Sequence, residues 1–364
     1  MRNLLLFITS LLFFCSCERK TVQQPVATDT TELAAPSTYL STGKPLVTEI
    51  FTADPSAHVF DDRIYVYPSH DIDAGTPEND MGDHFDMNDY HVLSMDSIGG
   101  PVTDHGVALD IKNIPWAGRQ LWAPDAAFSN GKYFLYFPAK DKADVFRIGV
   151  ATAASPAGPF TAEAQFIPNS YSIDPAVFRD DDGKFYLYFG GIWGGQLQRW
   201  SSGRYNANGS KTDAQKDDAP AIGPRVATLS SDMLKFEGKS KEVQIINEDG
   251  KPILAKDHDR RFFEASWMHK YNGKYYFSYS TGDTHFICYA VGESPLGPFK
   301  YKGVILNPVV GWTNHHSIIE VKGKWYLFYH DSQLSGKTHL RNVKVTTLEH
   351  LPDGTIRTID APKI

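Results

Sequence analysis

One hairpin pattern occurs five times along this chain, and it limits the possible folds more than any other feature. Each copy runs from a short strand through a tight Asp-, Asn- or Gly-rich turn into a strand rich in aromatic residues. Such flanking residues around such turns are typical of β-hairpins. Repetition of one supersecondary unit indicates a repeat architecture. The copies begin at Asp54, Ala123, Asp174, Glu264 and His315.

The spacing of the copies predicts an all-β fold, a five-bladed β-propeller over residues 45–364. About 320 residues shared by five repeats give about 64 residues each, which is enough for a four-stranded blade with its loops. A Ser-Pro-x-Gly-Pro-Phe turn follows two of the hairpins, at 155–160 and 294–299. No segment has the 3.6-residue period of a long amphipathic helix. A two-layer sandwich is the alternative, but it does not explain five copies of one hairpin.

The first 44 residues predict export and attachment to a membrane. Residues 1–17 contain a positive charge, a short apolar run and a final cysteine, which is typical of a lipoprotein-type signal peptide. We expect cleavage before Cys17, acylation of Cys17, and a periplasmic or outer-membrane-attached protein. An ordinary signal peptide cleaved nearby is the alternative. Residues 18–44 are rich in Thr, Pro, Ala and Ser, which predicts a flexible tether.

The charge and cysteine content argue against a nucleic-acid-binding protein and against a disulfide-stabilised one. The net charge is −7, with no basic cluster, which argues against a nucleic-acid partner. If Cys15 is removed and Cys17 acylated, Cys288 remains alone, so no intramolecular disulfide is expected. A large core must therefore stabilise the fold, and Cys288 is predicted to lie in it.

Acidic residues at the hairpin starts predict a glycosidase site. The innermost strands of a propeller surround its central channel, so these residues should converge there. Buried carboxylates are costly unless they are paired or functional. Glycoside hydrolysis requires one protonated and one ionised carboxyl group. Apolar neighbours in FFEASW predict Glu264 as the acid, and small, polar neighbours predict Asp54 as the base. Asp174 would tune the acid, although an isolated Asp-Pro also fits a turn or cap.

The motifs ADPS at Asp54, WAPD at Trp122, IDP at Asp174 and EAS at Glu264 resemble glycoside hydrolase family 43, of the β-xylosidase and α-L-arabinofuranosidase type. The resemblance covers nearly all of the chain after the tether. It implies a five-bladed propeller and inversion of configuration. It also implies an aspartate base, a glutamate acid and a second aspartate that modulates the pKa, at the positions named above.

The resemblance implies further contacts for sugar and metal. Trp122 would line the sugar pocket, with core packing as the alternative, and Arg341 would contact sugar hydroxyls. His315 would lie beside a calcium ion in the central channel, or instead be a neutral histidine that hydrogen-bonds into the acid network. Trp193 fits a pocket wall or a loop anchor equally well.

An insertion at residues 67–92 separates the first two hairpins and carries many Asp and His residues. Its spacing matches no known metal motif, so we interpret it as a polar loop over the pocket mouth. We expect His70 and Asp71, which are close to Asp54 in sequence, to contact substrate.

The expected activity is exo-acting hydrolysis that releases β-D-xylosyl or α-L-arabinofuranosyl units from plant-wall oligosaccharides. The alternatives are an endo-arabinanase with an open groove and a sugar-binding propeller without catalysis. A retaining enzyme is a third, with its carboxyl groups about 5–5.5 Å apart instead of the roughly 6.5–9.5 Å of inverting enzymes.

Overall fold

Five β-sheets follow one another along residues 43–361, the part of the chain that the computed structural model describes. The predicted signal peptide, Cys17 and nearly all of the predicted tether lie outside the described residues, as do residues 362–364. No helix in the described part is long and apolar enough to cross a membrane.

The strands are numbered in chain order and grouped by blade. The first blade holds β1 to β4, at Phe51–Phe60, Arg63–Asp71, Asp89–Met95 and Thr103–Asp110. The second holds β5 to β9, at Ala117–Arg119, Asp125–Ser129, Lys132–Asp141, Phe146–Ala153 and Thr161–Ala162. The third holds β10 to β13, at Ala176–Arg179, Phe185–Phe189, Arg225–Thr228 and Lys241–Glu242.

The remaining blades and the short helices complete the described chain. The fourth blade holds β14 to β18, at Ile245–Ile246, Glu264–Tyr271, Lys274–Ser280, Ile287–Gly292 and Phe299–Leu306. The fifth holds β19 to β21, at His316–Val321, Lys324–Asp331 and Asn342–Leu348. Four single-turn 3-10 helices lie at Ile111–Asn113, Trp193–Gly195, Leu197–Trp200 and Gly282–Thr284.

The five predicted hairpins are the inner strand pairs of the five blades. They are the antiparallel pairs β1–β2, β6–β7, β10–β11, β15–β16 and β19–β20. The first strand of each pair contacts the first strand of the next blade, and β19 contacts β1, so the inner strands form a closed ring. The predicted all-β, five-bladed propeller is therefore confirmed.

Large aromatic side chains fill the space around this ring. The second strand of each hairpin contributes a fully buried tyrosine, and four of the five hydroxyls donate a hydrogen bond to a backbone carbonyl of a distant loop. These rings bury much apolar area while the hydroxyls keep a partner. The tyrosines are Tyr67, Tyr136, Tyr188, Tyr279 and Tyr329. Cys288 is buried in the fourth blade.

The fifth blade differs from the predicted four strands, because the start of the domain completes it. It has three strands of its own. The backbone N–H of Leu46 donates to the carbonyl of Val343 at 2.8 Å, and that of Thr52 donates to the carbonyl of Arg341 at 2.8 Å. The first described residues thus run beside the last strand, and both ends of the propeller hold the ring closed.

Candidate active site

A pocket of about 250 Å³ lies where the inner strands begin. It is lined by the residues that start all five hairpins, so the predicted convergence on one cavity is present in the structure. These residues are Asp54, Ala123, Asp174, Glu264 and His315.

The backbone is irregular at the acidic residues. Asp54 and Asp174 have left-handed conformations, with φ of 49° and 55°, and Ala265 after Glu264 has φ of 61°. The pairing register shifts between Ala53 and Ser56, and again between Glu264 and Trp267. Bulges and unusual backbone conformations re-aim side chains and occur often at functional sites. Here they turn the carboxyl groups into the pocket.

The environment of Asp54 favours its ionised form. Burial is the largest single effect and would raise the pKa of this carboxyl group, but the Arg341 guanidinium, two nearby histidines and the Ser69 hydrogen bond together outweigh it and lower the pKa to about 2. Arg341 donates to Oδ1 at 3.0 Å and the Ser69 hydroxyl donates to Oδ2 at 2.7 Å. Asp54 is therefore a carboxylate at neutral pH, with its charge compensated by a fixed cation.

His330 holds the backbone of Asp54, a role that no pattern in the sequence indicated. The Asp54 N–H donates to His330 Nδ1 at 2.9 Å, so the ring proton is on Nε2, which lies 3.1 Å from the carbonyl oxygen of Thr313. Burial lowers the pKa of His330 to about 3, and the ring is neutral. His330 lies near the end of the aromatic strand β20. In the sequence it looks like one more buried residue of that strand.

Glu264 has the opposite electrostatic environment. Burial, followed by the negative charge of Asp54, raises its pKa to about 8. Asp174 lies close by, and its Oδ2 accepts a hydrogen bond from the Ala265 N–H at 2.7 Å. Burial and then the charge of Glu264 raise the pKa of Asp174 well above its ordinary value. The pocket therefore keeps at least one of these two carboxyl groups protonated at neutral pH.

Arg341 lines the pocket as expected, but His70 and Asp71 do not. Asp71 is buried behind Arg341, and its Oδ2 and Oδ1 accept from the guanidinium Nε and NH2 at 2.8 and 2.7 Å. His70 pairs with Asp89, away from the pocket. Neither side chain therefore lies where we expected it: His70 takes the face of β2 opposite to Ser69, because successive residues of a strand point to opposite faces, and Asp71 shares the face of Ser69 but is covered by Arg341. Ser69 takes the position beside Asp54, and Asp71 orients Arg341.

Both predicted tryptophans line the pocket. Trp122 donates from its indole Nε1 to the carbonyl oxygen of Phe85 at 2.7 Å. Trp193 donates to Asp213 Oδ1 at 3.1 Å. It also contacts the rings of Phe263 and Trp312, with ring centres 5.3 and 6.0 Å away. Trp193 is therefore both a wall and an anchored loop residue, so its two expected roles coexist.

The insertion forms one side of the pocket. Seven of its residues, between Glu78 and Met87, line the cavity. Phe85 packs under the Arg341 guanidinium, 4.6 Å from the ring centre, in a cation–π contact. The polar composition of this loop predicted its place over the pocket mouth. It did not predict that Phe85 contacts Arg341.

His315 lies between the two aspartates, with Nδ1 3.8 Å from Asp54 Oδ1 and 3.9 Å from Asp174 Oδ2. Burial lowers its pKa to about 4, so the ring is neutral at pH 7. Calcium prefers six to eight oxygen ligands. The aspartate oxygens already accept hydrogen bonds from Arg341 and Ala265, so these residues do not form a protein-built calcium cage. The expected calcium ion stays a prediction, with His315 as its neighbour.

Comparison with known proteins identifies close relatives of the chain. The family described as glycosyl hydrolases family 43 matches residues 43–356. A xylosidase/arabinosidase of Bacteroides ovatus is 57% identical over 86% of this chain and 97% of its own length. Xylosidase/arabinosidase 43A of Humicola insolens is 58% identical over 86% of this chain and 98% of its own.

A solved structure matches equally well. It is a β-xylosidase/α-arabinofuranosidase from a compost microbial metagenome, in a calcium-free form in complex with xylotriose. It is 72% identical and has a TM-score of 0.88, covering 89% of this chain and 99% of that one.

Proposed function

The chain belongs to glycoside hydrolase family 43, and from that premise we propose that it removes terminal β-D-xylosyl or α-L-arabinofuranosyl units from plant-wall oligosaccharides with inversion. The observation that carries the proposal is the electrostatic contrast within one pocket. The pKa of Asp54 is lowered to about 2, whereas that of Glu264 is raised to about 8. Two carboxyl groups with pKa values pushed apart mark an acid and base pair.

In the proposed reaction, Asp54 is the general base. It takes a proton from a water molecule that attacks the anomeric carbon, while the Arg341 guanidinium, 3.0 Å away, compensates its charge before the proton arrives. Ser69 and His330 fix its side chain and backbone. General base catalysis needs such a positioned and ionised group.

Glu264 is the proposed general acid. A carboxyl group with a pKa of about 8 is protonated at pH 7, and it can protonate the leaving glycosidic oxygen as the bond breaks. Asp174 would raise the proton affinity of Glu264 by like-charge repulsion and hold the backbone next to it through Ala265. Trp122, Trp193 and Arg341 would bind the sugar.

The shape of the pocket supports exo action. A cavity of about 250 Å³ is below the 300–1,000 Å³ typical of pockets for drug-sized ligands, which suits one pentose and its linkage. The insertion and the Trp193 segment border the cavity. Relatives at 57% and 58% identity are named xylosidase/arabinosidase. These features favour an exo-acting pentosidase over an endo-arabinanase or a non-catalytic sugar-binding propeller.

We also propose that the protein is exported and anchored to a membrane through acylated Cys17. The tether would then hold the propeller outside the cytoplasm, where oligosaccharides from the surroundings reach it. The support is the sequence of residues 1–44. Metabolic labelling with a fatty acid tests this, because Cys17→Ala should abolish the label.

The calcium ion expected beside His315 has a separate test. Activity that is unchanged by EDTA and by added CaCl₂ would contradict a role for calcium.

Hydrolysis of p-nitrophenyl β-D-xyloside and p-nitrophenyl α-L-arabinofuranoside, followed by proton NMR of the released anomer, tests the activity. We expect the inverted anomer as the first product. The retained anomer would show that Asp54 is instead a nucleophile. Absence of release by folded protein, combined with cleavage of a linear arabinan, would show endo action.

A further inference from the structure

A cluster of two histidines and an aspartate lies in the first blade, outside the pocket. Its residues are His70 at the end of β2 and Asp89 and His91 at the start of β3. His70 Nδ1 is 2.6 Å from Asp89 Oδ1, and His91 Nε2 is 4.0 Å from the same oxygen. Within the described part of the chain, this is the one group of three such side chains whose ligand atoms all lie within 4.8 Å.

From this arrangement we propose that His70, Asp89 and His91 bind a divalent transition metal ion of the Zn²⁺ class. Zinc bonds to imidazole nitrogen and carboxylate oxygen are roughly 2.0–2.2 Å long, so two ligand atoms on one tetrahedral ion are about 3.5 Å apart. The two distances to Asp89, 2.6 and 4.0 Å, lie on either side of that spacing. Two imidazoles and one carboxylate suit Zn²⁺ and leave a position for water.

A fourth residue orients His91 for this task. The Nδ1 of His91 lies 2.9 and 3.0 Å from the two carboxylate oxygens of Asp104, so its Nε2 faces the cluster. A carboxylate that holds the non-ligating nitrogen is the usual support of a metal-binding histidine, because it fixes the ring and raises its basicity.

The site is accessible to ions from solution. The exposed fractions of the His70, Asp89 and His91 side chains are 18%, 22% and 10%. The rings of His70 and His91 are 4.5 Å apart and tilted. A small ion can therefore reach the nitrogens without an opening of the fold.

The metal would act on the pocket through the insertion. His70 and Asp89 lie at the two ends of the segment 72–88 that joins β2 to β3, and this segment forms one wall of the pocket. A metal bond between the ends would restrain the loop at its base. The inferred role is a structural clamp, and it takes no part in the chemistry at Asp54.

Titration calorimetry with ZnCl₂ on EDTA-treated, tag-free protein tests the inference. We expect one site of micromolar or tighter affinity that CaCl₂ does not occupy. His70→Ala and His91→Ala should each weaken it at least tenfold, and Asp104→Asn about tenfold to a hundredfold. Hydrogen exchange in residues 72–88 should slow when zinc is bound.

The matched controls are His105→Ala, a histidine of the same blade that pairs with Ser94, and His315→Ala in the pocket. Both should bind zinc as the unaltered protein does. Absence of zinc binding by the unaltered protein would overturn the inference. A site that survives His70→Ala and His91→Ala but is lost in His315→Ala would also overturn it.

Discussion

Removal of the cation beside Asp54 should raise the lower limit of the pH range for activity. Arg341→Met alone would leave Asp71 buried without its cation, with only the backbone N–H of residue 341 as a donor, at a cost of about 3–5 kcal/mol. We therefore choose the double variant Asp71→Leu with Arg341→Met, because apolar replacement of a buried ion pair is often neutral for stability. Asp54 keeps Ser69 and His330 but loses its cation.

The magnitude follows from the environment of Asp54. The fall in its pKa from 3.8 to about 2 corresponds to about 2 kcal/mol in favour of the carboxylate. Burial opposes that fall and Arg341 is the largest effect in its favour. Without the guanidinium, the pKa of Asp54 should rise by about 1–3 units, the usual effect of a neighbouring opposite charge on an aspartate. The acid limb of kcat/KM should then move upward from about pH 2 by the same amount.

The assay is the pH profile of kcat/KM with p-nitrophenyl β-D-xyloside, corrected for folding by circular dichroism. Sugar contacts of Arg341 are lost as well, so the rate falls at every pH, and the position of the limb is the diagnostic result. The control is Asp331→Leu with Lys344→Met, which removes a second buried ion pair, at 2.7 Å, that does not line the pocket. An unmoved limb in the test variant, or an equal movement in the control, would refute the reasoning.

Three further variants test the same pocket. Glu264→Gln should reduce cleavage of xylobiose by about 10²–10⁴-fold but spare aryl xylosides with good leaving groups; equal losses on both substrates would contradict an acid role. The pKa of Glu264 is about 8 in the folded protein and 4.5 ordinarily. Between those pH values the unfolded chain loses this proton while the folded protein keeps it, so the free energy of unfolding falls as the pH rises. The same variant should therefore raise Tm at pH 8 and not at pH 4. Asp174→Asn should lower kcat strongly and move the basic limb to lower pH, since a like charge beside Glu264 is gone; an upward movement would count against this role. Gly82→Ala should raise KM about tenfold because a Cβ there would lie 2.8 Å from the Trp122 ring, at a φ of +67°; an unchanged KM would show that Trp122 does not bind sugar.

The sequence predicted the ring and the three carboxyl groups because both depend on a local signal that repeats. Each hairpin carries its own turn and aromatic strand, and the register of the repeats places the first residue of each at the axis. Asp54, Asp174 and Glu264 are found by that register, even though their left-handed or bulged backbone departs from regular strand geometry.

The partners of these groups were harder to predict because they depend on contacts distant in sequence. His330 and Arg341 reach Asp54 across separations of 276 and 287 residues, and no local pattern reports such a contact. His70 and Asp71 were misplaced for a different reason. Sequence proximity to Asp54 does not tell that His70 takes the opposite face of β2 from Ser69. It also does not tell that Arg341, 270 residues away, covers Asp71.

Closure of the ring by both ends of the propeller has a consequence for the timing of activity during synthesis. Asp54 emerges from the ribosome near the beginning of the domain, and Arg341, whose carbonyl accepts from Thr52, emerges near its end. A nascent chain that lacks the last blade would hold an acidic cluster without its cation and a pocket without one wall. Folding of such distant contacts is slow and completes late. Catalytic competence should therefore appear in one step, after the whole propeller has been made.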